Sequence, residues 1–178
     1  MMLSFLKKRR FWIEFVIWIG LLIGVYAFTQ WRGSPMAANI PHQLPSLVVR
    51  SLSGRLIDLP AVPKRMILIN FWAPDCPACL AETPALVQLQ QWFGGKSFSI
   101  IGIGVNGSTA KAVRARMREL GINYPEYLAA GQGVSQALGG VILTPTSILV
   151  NGKGRIVGRY VGAIALPVIV WKLLWTWV

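Results

Sequence analysis

The sequence is poor in metal-ligating and acidic side chains, since its 178 residues include two cysteines, one histidine and six acids. A protein zinc site needs about four ligands, and the two thiols with His42 cannot complete one within a single chain. Covalent haem attachment requires a histidine directly after the second cysteine, where this chain has Leu80. The chain also contains no internal repeat and no low-complexity tract. These absences leave the cysteine pair as the main chemical feature.

Basic residues outnumber acidic ones, with eighteen Lys and Arg against six Asp and Glu and a net charge of +12. This excess could attract anionic lipid head groups or an acidic partner. Part of it falls on "AKAVRARMREL", where Lys111, Arg114 and Arg118 recur at helical spacing, as on a solvated helix. A nucleic-acid-binding face needs interleaved basic and aromatic residues, which are lacking here. We therefore expect no nucleic acid partner.

The one long apolar run lies near the amino terminus. Residues 7–10 are all basic, and residues 11–28 follow with Glu14 as their single charge. As a helix rising about 1.5 Å per residue, this run would span about 27 Å, close to the thickness of a hydrocarbon core. Basic residues on the leading side predict that residues 1–10 stay in the cytoplasm and that the rest is exported.

A cleaved signal peptide is the alternative interpretation of this run. Signal peptides have an apolar region of about 7 to 15 residues that ends in small side chains. The run here is longer, and Met36, Ala37 and Ala38 form only an imperfect cleavage site. We therefore predict an uncleaved anchor at 11–28, a linker rich in proline and small residues at 29–45, and one folded domain at 46–178.

Both cysteines lie within "FWAPDCPACLAETP", where two residues separate Cys76 from Cys79. A structural disulfide normally joins distant parts of a chain, because closing a longer loop restricts the unfolded state more. A gap of two residues gives little of that benefit. Thiol redox chemistry is therefore the favoured interpretation, and its local requirements can be examined in the sequence.

The elements around the pair suit such chemistry. The apolar run "RMILINFWA" predicts a strand buried on both faces, and "PDCPACLAETPALVQLQQWFGG" predicts a helix ending at Gly94 and Gly95. Cys76 then lies at the helix amino terminus, where free N–H groups and the helix dipole favour the thiolate. Pro77 suits the first helical position. Cys79 lies one turn deeper, within reach of a mixed disulfide on Cys76.

These residues resemble the thioredoxin superfamily over about residues 46–178. The resemblance is carried by "ILINFWAPDCPAC", by Pro84 inside the following helix, by "TPT" at residues 144–146 and by the closing "ILVNGKGRIVGRYVGA". It implies an α/β, thioredoxin-like fold, with a central mixed β-sheet flanked by helices, here preceded by one amino-terminal transmembrane helix.

The resemblance also implies substrate-binding residues. In this family a proline such as Pro145 is cis and faces the cysteine pair, and the residue before it, Thr144, offers backbone hydrogen bonds to a bound polypeptide. The family tryptophan corresponding to Trp72 borders the active site, although an aromatic at a strand end could equally serve only to pack the core. The acidic Asp75 before the first cysteine departs from many relatives and opposes thiolate formation on Cys76.

A second departure concerns the proton acceptor. Thioredoxin has a buried Asp six residues before its first cysteine, and this chain has Asn70, whose amide cannot relay a proton at neutral pH. Membrane-anchored periplasmic reductases resembling TlpA and ResA carry Cys-x-x-Cys-x-x-Glu-x-Pro, which this chain matches with Glu82 and Pro84. Glu82 lies nearly one turn from Cys79, where it could assist proton transfer. A solvated helix residue is the alternative interpretation of Glu82.

Two subfamilies of these membrane-anchored reductases could each include this chain. Cytochrome c maturation reductases of the CcmG type carry a Glu just after the cis proline, where this chain has Thr146. The layout, with its tryptophan-rich end "WKLLWTWV", looks more like the ScsD-type proteins of the suppressor-of-copper-sensitivity system. Residues 165–178 are too few for a second membrane span, so we predict a final helix packed on the sheet. A helix on the membrane surface, with Trp171, Trp175 and Trp177 at the interface, is the alternative.

The resemblance implies a thiol:disulfide oxidoreductase anchored in the bacterial inner membrane, with its catalytic domain in the periplasm. Cys76, Cys79 and Glu82 would be catalytic, and we expect no dissolved cofactor and no resident metal. A transmembrane donor of the DsbD or ScsB kind would reduce the pair, which would then reduce exported proteins. A CcmG/ResA-like cytochrome c maturation reductase, or a module that binds Cu(I) or polypeptide, stays open, since soft thiolates suit Cu(I). Composition does not define the direction of electron flow.

Overall fold

The computed structural model describes residues 12–25, 28, 41–61, 63–131, 133–140, 143–164 and 166–176. Its strands are β1 (Leu47–Ser51), β2 (Leu56–Leu59), β3 (Met66–Trp72), β4 (Phe98–Gly104), β5 (Glu126–Ala129), β6 (Thr146–Val150) and β7 (Ile156–Val161). Its helices are α1 (12–25), α2 (Pro77–Phe93), α3 (Ala110–Leu120), α4 (Gly133–Ala137) and α5 (Leu166–Thr176).

The seven strands form one mixed sheet in the order β2-β1-β5-β4-β3-β6-β7. The three central strands, β5, β4 and β3, run parallel to one another. The flanking pairs β3 with β6, β6 with β7, β5 with β1 and β1 with β2 are antiparallel. The predicted mixed α/β sheet is therefore confirmed, and the hairpin of β1 and β2 extends one edge.

Strand β3 is an interior strand of the sheet, between β4 and β6, and all seven of its residues are buried, as the apolar run predicted. Its odd-numbered residues pack in one core with Val134 and Leu138, from α4 and just after it. On the other face Leu68 packs in a second core with Leu86 and Leu89 of α2. Because successive side chains of a strand alternate between faces, a strand covered on both sides needs apolar residues throughout.

The helix after β3 begins and ends where the sequence indicated. Cys76 is the N-cap, Pro77 occupies the first turn, and Gly94 is the C-cap after Phe93. Proline is tolerated at the first helical position because its missing N–H would have no intrahelical partner there. This arrangement places the cysteine pair just beyond the carboxyl end of β3, an interior strand of the sheet.

The two terminal helices differ in their surroundings. Every residue of α1 is exposed, although most of its side chains are apolar. No helix in the described part of the chain is long and apolar enough to span a bilayer; the predicted span at 11–28 includes residues 11, 26 and 27, which lie outside it. In α5, Ile169 and Leu173 are buried in the core under α2, which confirms the prediction of a helix packed on the sheet.

Candidate active site

The two cysteines form a disulfide with their Cα atoms 5.3 Å apart. Cys76 is half-buried, whereas Cys79 is only 2% exposed. The backbone N–H of Cys79 points at Sγ of Cys76 at 3.2 Å. In the reduced protein that N–H and the helix dipole would stabilise a thiolate on Cys76. The pair is therefore asymmetric, with one sulfur that a partner can reach and one that it cannot.

A cis peptide bond between Thr144 and Pro145 faces the disulfide. Sγ of Cys76 lies 3.6 Å from the carbonyl oxygen of Thr144. Pro145 is buried, Thr144 is half-buried, and the hydroxyl of Thr146 donates to the carbonyl of Leu143 at 2.7 Å. The cis geometry that the family resemblance implied is confirmed, and the loop before β6 brings a backbone carbonyl beside the reachable sulfur.

Glu82 is 5% exposed, so its interpretation as a solvated helix residue is wrong. Its Oε1 accepts a hydrogen bond from the backbone N–H of Ile164 at 3.2 Å. Its Oε2 is buried and has no hydrogen-bond partner among the described residues. Burial raises the pKa of Glu82 to about 7, an effect that the bond from Ile164 partly offsets. The carboxyl group can therefore exchange a proton near neutral pH.

Trp72 is 2% exposed and packs in one cluster with Cys79 and Val113. It therefore both packs the core and borders the cysteine pair, so the two interpretations of this residue are compatible. Its indole Nε1–H donates a hydrogen bond of 2.9 Å to Oε2 of Glu126. This contact ties the ring to a residue 54 positions further along the chain.

Glu126 is a polar residue of the site that sequence reasoning missed. It is 6% exposed, its Oε1 has no hydrogen-bond partner in the described part of the chain, and burial raises its pKa to about 8, against the lowering effect of the bond from Trp72. The available signal was an acid at the start of the otherwise apolar "EYLA". Acids are depleted in strands, so such a residue indicates a special environment.

Two further residues noted in the sequence are also placed. Asn70 is buried and its Nδ2 donates to the hydroxyl of Ser147 at 2.9 Å. Asp75 is exposed and borders a groove of about 530 Å³ that also includes Ser108, Arg116 and Glu119.

Within the described ranges, no group of three or more His, Cys, Asp or Glu residues could hold a metal ion.

A mixed sheet of this topology, with a half-buried cysteine at a helix amino terminus, a second buried cysteine one turn on and a facing cis proline, defines a thiol-disulfide oxidoreductase of thioredoxin-like fold. Comparison with known families adds the family. The Redoxin family model matches residues 41–167, and the chain belongs to that family.

Known relatives and solved structures agree with this assignment. The chain is 27% identical over 158 residues to "Thiol-disulfide oxidoreductase ResA" of Halalkalibacterium halodurans, covering 88% of this chain and 89% of that protein. The ResA protein of Bacillus thuringiensis strain Al Hakam is 28% identical over 160 residues, with coverages of 88% and 91%. The crystal structure of a thiol:disulfide interchange protein from Chlorobium tepidum superposes with a TM-score of 0.62 at 28% identity, covering 72% of this chain and 91% of that one.

Proposed function

We propose that this chain is a membrane-anchored reductase of disulfides in exported proteins. The observation that carries the proposal is the asymmetry of the pair, with Cys76 reachable, Cys79 buried and a proton-exchanging carboxyl group, Glu82, in the same helix. A reductase needs one sulfur to engage the partner and a second to release it. The similarity to ResA proteins along almost the whole chain supports this choice.

The reaction begins with the pair in its dithiol form. The Cys76 thiolate attacks one sulfur of the substrate disulfide, which breaks the substrate S–S bond, forms a mixed disulfide and releases the other substrate sulfur as a thiolate that takes a proton. Cys79 then loses its proton and attacks Sγ of Cys76. The mixed disulfide breaks, the second substrate sulfur leaves, and the Cys76–Cys79 disulfide forms. Two electrons pass from the protein dithiol to the substrate.

Glu82 is the proposed acceptor of the proton from Cys79. A general base works best when its pKa lies near the operating pH, and burial brings Glu82 to about 7. Its Oε2 makes no other hydrogen bond in the described region. Thr144 and Pro145 would orient the partner, since the Thr144 carbonyl next to Sγ of Cys76 is available to an extended polypeptide.

Membrane attachment is supported by the exposed apolar helix α1 and by charge near the point where the linker joins the domain. The carbonyl of His42 accepts from the N–H of Ile156, so the linker joins the domain beside the β6–β7 turn. A basic pocket adjoins that turn at the end of the sheet opposite the cysteines, with cationic side chains from Lys64, Arg65, Lys96 and Lys153. This pocket suits an anionic membrane surface.

With the domain attached in this way, the active site would face the periplasm. A transmembrane dithiol donor of the DsbD or ScsB kind would return the cysteine pair to its reduced form.

Trapping tests the reaction directly. In a Cys79→Ser variant of the full chain the mixed disulfide cannot be resolved, so partner proteins should stay attached to Cys76 and appear on non-reducing gels. A Cys76→Ser variant is the matched control and should capture nothing. If the Cys79→Ser protein captures no partner in cells, the proposed reaction is wrong.

The reduction potential tests the direction of electron flow. A potential near that of thioredoxin, about −270 mV, is expected for a reductase. A potential near that of a strong periplasmic oxidant, about −120 mV, would reverse the proposed direction.

A further inference from the structure

Three residues on neighbouring strands pair in one row across the sheet: Asn70, Gly102 and Glu126. The backbone of Asn70 on β3 pairs with that of Gly102 on β4, and Gly102 pairs with Glu126 on β5. Asn70 occupies the position at which thioredoxin has its buried Asp, and its amide is already bonded to Ser147. Strand β3 therefore has no acidic side chain at this position, but β5, two strands away, has Glu126 in line with it across the sheet.

The carboxylate of Glu126 fills the space left by the missing side chain of Gly102. A Cβ atom built on Gly102 would collide with all three atoms of that carboxyl group. Because adjacent strands are about 4.8 Å apart, this arrangement moves the carboxylate from β5 across β4 toward β3. The glycine on the central strand is what permits Glu126 to lean in this direction.

Trp72 connects this carboxylate to the cysteine pair. Its indole donates to Oε2 of Glu126 on one side, and its ring packs in the cluster that contains Cys79 on the other. Cys79 is the sulfur that must lose a proton before it can attack the mixed disulfide. The hydrogen bond from Trp72 to Glu126 therefore holds the ring that packs beside Cys79.

The charged and titratable groups around Glu126 are few. Burial raises the pKa of Tyr124, and the charges of Glu126 and Glu82 raise it further, so both carboxyl groups lie near this phenol. The basic residues of α3 do not neutralise Glu126. Arg114 donates to the carbonyl of Leu52. Arg116 donates to the carbonyl of Pro74 and also to the carboxylate of Glu119. The two remaining cations of that helix, Lys111 and Arg118, are exposed.

We propose that Glu126 is a positioning residue for the thiol exchange: its carboxyl group holds Trp72 against Cys79, and its protonation state adjusts how readily Cys79 ionises. This inference rests on the proposed dithiol reaction. When Glu126 is ionised, its negative charge disfavours a second anion on Cys79; when it is protonated, that opposition is removed. Burial raises its pKa to about 8, so the change falls within the range in which thiols titrate.

The test is a titration of Cys79 in the full-length chain, purified in detergent and carrying Cys76→Ala so that Cys79 is the only thiol. The thiolate is followed by its ultraviolet absorbance as the pH is raised. With Glu126 present we expect a broadened curve, because two interacting groups titrate together. Adding Glu126→Gln, which keeps an acceptor for Trp72 but cannot ionise, should lower the Cys79 pKa and narrow the curve, with Glu82 as the remaining coupled carboxyl group.

Two matched variants make the result specific. Asp58→Asn removes one acid from an exposed position on β2 and should leave the Cys79 curve unchanged. Trp72→Phe removes the indole donor but keeps the charge of Glu126, so it should shift the midpoint while the curve stays broad. It also provides an independent measurement if Glu126→Gln does not fold.

Superimposable Cys79 titration curves with and without Glu126→Gln would overturn the proposal. Because no partner protein enters this titration, its failure would leave the proposed reductase function intact. Conversely, a failure to trap mixed disulfides in cells would overturn that function without changing the titration of Cys79.

Discussion

The two faces of the sheet differ in the polarity of the side chains that they bury. The face covered by α4 is lined by Ile67, Ile69 and Phe71 of β3 and is apolar where β3 crosses it. The face covered by α2 includes buried polar side chains beside its apolar ones, among them Asn70, and α2 itself buries Glu82 against the interior. Burying a polar group without a full set of partners is costly, and such groups cluster at functional sites. Along β3, the difference indicates that the residues facing α4 serve stability and that those on the other side lie near the reaction.

The largest effect on the reactive face should come from Cys76→Ser. Cys76 is the sulfur that partners can reach, and a serine hydroxyl cannot replace a thiolate in disulfide exchange. We expect loss of turnover to background in a disulfide-reduction assay, with the thermal unfolding profile of the reduced protein close to that of the parent. Residual turnover above background would assign the first attack to another group.

The complementary change on the apolar face is Phe71→Ala. Phe71 is fully buried, and truncation of a buried Phe to Ala costs about 3–5 kcal/mol of unfolding free energy. Denaturant unfolding should show this loss. At temperatures where the variant stays folded, its reduction potential should match that of the parent. A changed potential would mean that the two faces are not separate in function.

A smaller effect is expected from Glu82→Gln. General acid–base groups typically contribute about 10²–10⁴ in rate, and we expect release of the mixed disulfide to slow by about 10²-fold. In the parent this rate should rise with pH through about 7, as the carboxylate forms, and the variant should lose that rise. Stopped-flow measurement across pH separates the outcomes: identical pH profiles would show that Glu82 is only structural.

The last expected effect is a slope of stability with pH. Burial raises the pKa of Glu82 and Glu126 from 4.5 to about 7 and about 8, so the folded protein binds protons that the unfolded chain releases. The free energy of unfolding should therefore fall as the pH rises from about 4.5 to about 8. The double variant Glu82→Gln with Glu126→Gln should flatten this slope. A slope that is unchanged in the double variant would assign it to other groups.

Much of the apolar face and of the cysteine pair's surroundings could be predicted from local sequence. The continuous apolar run predicted β3, and the proline and glycine positions predicted the limits of α2, since both signals involve neighbours within a few residues. The cis geometry at Pro145 followed from family resemblance. The hairpin of β1 and β2 was not predicted. Burial alternates along β1, but its exposed Val48 is apolar, so the sequence itself does not alternate.

The polar part of the site could be predicted only in outline. The spacing of Glu82 after Cys79 indicated its place on α2, but its burial depends on Ile164, which is 82 positions away. Glu126 gave a weaker signal, because its environment requires a glycine on one neighbouring strand and a tryptophan on the next. Such contacts have no fixed spacing along the chain, so local patterns do not reveal them.

By itself the sequence determined the reactive pair, the strand and helix that carry it, and the class of chemistry, because these depend on residue type and short spacing. Only the tertiary structure decided which sulfur is reachable and which carboxyl groups are buried. It also decided that Trp72 joins Glu126 to the neighbourhood of Cys79. Exposure and pKa depend on everything packed around a group, and that surrounding is assembled from segments far apart in the chain.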